Sequence, residues 1–92
     1  MAQEEKITGT RAVWKAVGDE GEERTFVEQF AQTERMTDKD VIGQARRSAG
    51  EWRRAPNGDA YRLTELVSVQ RFSKGLFGVE TDVRIIFEKG EA

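Results

Sequence analysis

Between Val79 and Glu88 the side chains alternate. Val79, Val83, Ile85 and Phe87 fall on one parity, and Glu80, Asp82, Arg84 and Glu88 on the other, with Ile86 the exception on the polar side. A sustained period of two marks a strand with one face buried and one wet. Three more segments read in the same way. Ile7 to Val17 carries Ile7, Val13 and Val17 on one parity and Ala12, Trp14 and Ala16 on the other. Gly18 to Gly21 is a turn, and Glu23 to Glu34 follows as the second arm of a hairpin, with Phe26 and Phe30 on one face and Val27 and Ala31 on the other. Ala60 to Phe72 places Tyr61, Leu63, Val67 and Val69 on one parity, and Ser73 to Gly78 is a loop before the last strand.

A segment of different period separates the two hairpins. Thr37 stands where a helix cap belongs, and Asp38 and Asp40 suit the positive end of a helix dipole. Ile42, Ala45, Ala49 and Trp52 then recur at helical spacing, so the pattern predicts a helix running to Arg54, with Trp52 as the central core plug. Ala55 to Asp59, with its Pro, Asn and Gly, ends it. The order is ββαββ. It predicts an α+β domain: one four-stranded antiparallel sheet with the helix packed across one face. A single helix covers part of such a sheet, so Trp14, Val27, Ala31 and Ile86 are expected on a second, partly exposed face.

Ninety-two residues suit one small domain spanning 1–92, with 1–6 and 89–92 expected as frayed tails. The chain has no Cys and no His, which removes disulfides, thiol nucleophiles, imidazole bases and the usual zinc ligand sets. No stretch is apolar enough to span a membrane, and Met1 to Lys6 is too polar for a signal peptide, so a cytoplasmic location is expected. The net charge of −2 gives no general nucleic-acid signature, but the charge is uneven, with arginines gathered between residues 46 and 54.

Those arginines belong to a repeated unit, Gly-x-x-Arg-Arg, at Gly43 to Arg47 and again at Gly50 to Arg54. On one continuous helix, Lys39, Arg46 and Arg53 form a basic ridge, Arg47 and Arg54 a second, and Gly43 and Gly50 a floor between them. Such a surface suits phosphate or an acidic partner. The competing reading is solvated arginines, with glycines that let the helix sit close to its own sheet. Leu76 and Phe77 lie in a glycine-bracketed loop. They read either as a protein-binding hot spot or, by a small margin, as a plug for one end of the core. Trp14 reads as core, with base stacking beside Arg11 and Lys15 as the second reading. The carboxylate pairs Asp38/Asp40 and Glu80/Asp82 have capping and solvent-face explanations. No phosphate-binding loop, dinucleotide fingerprint or nucleophile elbow is present, so no catalytic residue, cofactor or metal site is assigned.

In size, lack of cysteine and ββαββ order the chain is similar to many phage-encoded accessory proteins, anti-CRISPR proteins among them. That likeness is of type and architecture, not of matched residues. It implies a protein that binds a host defence complex and blocks a nucleic-acid path or a partner interface. The expected function is therefore non-enzymatic binding to a protein or nucleoprotein complex. The contacts are Lys39, Arg46, Arg47, Arg53 and Arg54 on the helix and Leu76 and Phe77 on the loop. Direct RNA or DNA binding through the arginine ridge is the alternative, and a homo-oligomeric phage structural protein a further one. The chain itself is expected to be a monomer or homodimer.

Overall fold

The computed structural model describes residues 7–30, 33 and 35–90. The elements are β1 (Ile7–Gly18), β2 (Glu23–Phe30), α1 (Asp38–Arg46), β3 (Trp52–Arg54), β4 (Ala60–Lys74) and β5 (Glu80–Glu88), with a short 3-10 turn at Leu76–Gly78. The α+β class, the single α-helix among the described residues and the antiparallel sheet agree with the sequence. The strand number does not. Five described strands lie in one sheet, ordered β2-β1-β4, with β3 and β5 both paired to β4. β3 takes the Ala60 end of β4 and β5 the Ser68–Lys74 end. Thr33 is described, while Ala31 and Glu34, read as part of the second strand, lie outside the described residues, as do the tails 1–6 and 91–92. Lys89 is not frayed: its N–H donates to Val67 O at 2.8 Å and its Nζ meets Glu65 at 2.7 Å.

The extra strand comes from the helix stopping early. Thr37 Oγ1 accepts from Asp40 N at 3.1 Å, so the helix begins where the cap residue predicts. It ends at Arg46. The next amides, Arg47, Ser48 and Ala49, bond back to Gln44, Ala45 and Arg46, a tightened i to i−3 turn. Gly50 then takes φ +84°, a left-handed conformation that suits glycine and terminates helices. Its N–H donates to Leu63 O, and Leu63 N–H to Glu51 O, both at 2.8 Å, so the chain joins the edge of β4 as β3. The second glycine of the repeat is thus a stop signal and not a helix face.

One face of the sheet holds the core: Ala12, Trp14 and Ala16 of β1, Tyr61, Leu63, Leu66 and Val69 of β4, with Val41 and Ala45 of α1. Trp14, read as lying on the minor face, is 1% exposed and is the largest fully buried side chain. Trp52 reverses in the other direction. It stands opposite Arg62 on the sheet face away from the helix and is 51% exposed. Ile86 also corrects: it packs against the core. The reason is a bulge. Phe87 pairs with Val69 and Ile85 with Gln70, so Ile86 is an extra residue and the alternation changes face around it. Two register shifts between β1 and β4 act likewise, skipping Val67 and Thr64, so the buried positions of β4 run Leu63, Leu66, Val69 and not along one parity.

Val27 does lie on the second face, as expected, and is exposed. The molecule is 18 Å in its shortest dimension, which suits one helix layer on one sheet face, and no described helix covers the other face. That second face carries Val13, Lys15 and Val17 of β1, Val27 of β2, Arg62 of β4, Trp52 of β3 and Ile85 of β5.

Candidate functional site

The four arginines do not form a ridge on one helix. Arg46 closes α1, and its guanidinium stands 5.1 Å from the centre of the Phe87 ring. Arg47 is the C-cap. Arg53 and Arg54 are on β3, pointing to opposite faces. Arg53 is spent on ion pairs: Nε donates to Glu28 Oε2 at 3.0 Å and Nη2 to Glu51 Oε1 at 2.9 Å. The Glu51 hydrogen bond, with Glu28 behind it, raises its pKa further above the ordinary arginine value. Arg54 donates to Gly58 O, closing the turn before β4. Lys39 and Arg47 remain exposed on the outer side of α1, lining a shallow groove with Gly43. Beyond its own helix, no described group lies within 4 Å of where a Gly43 side chain would begin, so no other described backbone is held close there.

Trp14 is buried and offers no stacking surface. Asp38 and Glu80 are equally committed. Asp38 accepts from Arg71 at 2.7 Å and from Arg84 at 2.9 Å, and those hydrogen bonds, Arg84 first, hold its pKa below the ordinary 3.8. Glu80 pairs with Arg11 at 3.2 Å. Among the described residues no group of three or more carboxylates gathers in a way that could hold a metal ion.

These pairings set a pH response. Lys89 lowers the pKa of Glu65 from its ordinary 4.5 through a hydrogen bond, and Glu23 raises that of Lys15 from 10.5 in the same way. A depressed carboxylate stabilises the fold above its unfolded pKa and loses that contribution as pH falls through the folded value. A raised lysine contributes below its unfolded pKa and loses it as pH rises through the folded value. With no histidine in the chain, the melting temperature should be flat from about pH 5 to about pH 9 and fall below about pH 4. An inflection near neutrality in a melting series would contradict this.

Besides Lys39 and Arg47, the structure leaves an apolar patch uncommitted. Phe77 is 100% exposed, so it does not plug the core. It also holds φ 69° and ψ 13°, the one described non-glycine residue at positive φ. The Leu76 side chain lies outside the described residues. Val79, which follows the turn, and Val83 and Ile85 on β5 are each more than half exposed. The alternation that marks β5 as a strand could not locate this patch, because bulges and the strand's place at the sheet edge decide which apolar residues are covered. The glycines around Phe77 were the available signal.

Compared with protein-family models, curated proteins and solved structures, the chain finds no match.

Proposed function

We propose that this chain is a non-enzymatic binding protein that engages a protein or nucleoprotein complex through the Phe77 turn and the adjoining strand β5. The observation that carries this reading is Phe77. A fully exposed aromatic in a left-handed backbone well bears two costs, apolar hydration and backbone strain of about 1–2 kcal/mol. Glycine at that position would remove both. Val79, Val83 and Ile85 add exposed apolar area close by in the chain. Aromatic anchors of this kind dominate binding energy at protein interfaces. Direct RNA or DNA binding has lost the single-helix ridge that supported it. The narrower reading, an inhibitor of host defence of the anti-CRISPR type, rests on size and architecture.

The test is Phe77→Gly. Its melting temperature should equal the native one or exceed it by a few °C, because the strain is relieved. Binding to a complex captured by the tagged native chain, in a nuclease-treated lysate, should weaken by at least about 30-fold, the loss expected for a hot-spot residue. Undiminished binding by Phe77→Gly would sink the proposal. Capture that disappears on nuclease treatment would move the reading to nucleic acid.

A further inference from the structure

We propose that two copies of this chain join through β2, pairing antiparallel about a two-fold axis at Phe26, so that Arg24 of each copy meets Glu28 of the other. β2 and β5 are both edge strands, but they differ. β5 pairs to β4 with two register shifts, and bulges of this kind keep an edge from templating another strand. β2 pairs with β1 in unbroken register from Glu23 to Phe30 and contains neither Pro nor Lys. It has no second strand neighbour among the described residues. Its alternate residues Glu23, Thr25, Val27 and Gln29 are all exposed.

The hairpin turn fixes which backbone groups are free. Gly18 N–H donates to Glu22 O at 2.8 Å, and Gly21, at φ +85°, forms the bulged end of a three-residue loop. Gly18 and Glu22 are therefore a hydrogen-bonded pair. Counting along the ladder, Arg24, Phe26 and Glu28 turn their backbone groups to β1, and Glu23, Thr25, Val27 and Gln29 turn theirs outward. A symmetric antiparallel partner must oppose outward-facing residues, so its axis falls on a residue and not between two.

Charge then separates the registers. An axis at Arg24 or Glu28 sets that charge on itself, and one at Thr25 sets Glu22 against Glu28. An axis at Val27 sets Glu28 against Phe26. The axis at Phe26 alone makes two Arg24–Glu28 pairs and places Thr25 opposite Val27 on the second face. Glu28 has a use for a second guanidinium. Its Oε2 accepts from Arg53, while its Oε1 is buried with no hydrogen-bond partner among the described residues. Arg24 is exposed and lies over the Phe26 and Tyr61 rings, on the same face as Glu28.

The experiment is disulfide trapping under mild oxidation. The chain has no cysteine, so any disulfide formed by a single-cysteine variant joins two copies. Facing residues in a hydrogen-bonded pair lie about 5.5 Å apart at Cα, within disulfide reach. Mixing Thr25→Cys with Val27→Cys should give a cross-linked dimer, and neither variant alone should. Adding Arg24→Glu to both should slow cross-linking at least about tenfold. By light scattering the native chain should rise from 10.4 kDa toward twice that mass with concentration. Cross-linking of Val27→Cys alone would place the axis on Val27 and overturn the proposal. So would no cross-link in the mixture, or a rate indifferent to Arg24→Glu.

Discussion

Trp14→Ala should destabilise the fold by about 3–5 kcal/mol, the usual cost of emptying a buried indole site, while Trp52→Ala should cost less than about 1 kcal/mol. For a domain of this size the first change lowers the melting temperature by roughly 15–30 °C. Trp14 lies between Phe26 on β2 and Leu66 on β4, and its neighbours along the same face of β1 are Ala12 and Ala16. Two small residues flank one large one along the strand, so neither Ala12 nor Ala16 can fill the gap. The indole N–H adds a diagnostic detail. It is buried without a hydrogen-bond partner among the described residues. Trp14→Phe removes that unsatisfied donor along with part of the ring, so it should cost well under half of what Trp14→Ala costs. Thermal melts of the three variants test this, and equal losses at positions 14 and 52 would refute it.

The two tryptophans also show what was legible in the sequence. The positions of four of the five described strands, both hairpins, the helix cap at Thr37 and the α+β class follow from period and turn chemistry; β3 at Trp52–Arg54 does not, because its residues continue the helical spacing. The face of each strand does not follow, because one bulge exchanges inside and outside. β1 has apolar residues on both parities, and nothing local says that Ala12, Trp14 and Ala16 win the helix face over Val13 and Val17. The helix end was missed for a related reason. Ala49 and Trp52 continue a helical spacing, but Gly50 has access to a left-handed turn, and the free edge of β4 offers Gly50 and Glu51 hydrogen bonds that another helical turn would forgo. A pattern of side chains cannot weigh that competition, since the winning partner, Leu63, lies far along the chain. The basic ridge was a consequence of the helix length and goes with it. Phe77, by contrast, was marked in the sequence by its flanking glycines, and its exposure had to come from three dimensions.

Arg71→Leu should lower stability by about 2–4 kcal/mol, the largest loss expected from any single polar side chain here. Arg71 lies on the helix side of β4, opposite Thr10, and is 9% exposed. Its guanidinium donates to Thr33 O at 2.6 Å, Met36 O at 2.9 Å and Asp38 Oδ1 at 2.7 Å. Those three acceptors span the connection from β2 into α1, where Thr33 Oγ1 also meets Thr10 Oγ1 at 2.9 Å. One rigid fork thus ties the start of the helix to the centre of the sheet. Leucine would fill much of the volume, yet Met36 O would lose its donor and Thr33 O would keep only the Met36 N–H. Arg71→Lys should recover less than half of the loss, because an ammonium cannot spread to three acceptors in that geometry. Asp38→Asn should cost less than Arg71→Leu, since Asp38 is half-exposed and Arg84 also donates to it. A double-mutant cycle over Arg71 and Asp38 should therefore return a coupling smaller than the Arg71→Leu loss, the remainder belonging to the carbonyls. Hydrogen exchange should place the damage: in Arg71→Leu the amides of α1 lose protection before those of β1 and β4. If Arg71→Leu instead melted at or above the native temperature, burial of the ion would be the net burden that apolar replacement sometimes relieves, and Val41 and Ala45, with the Arg84 and Phe87 contacts, would suffice to hold the helix.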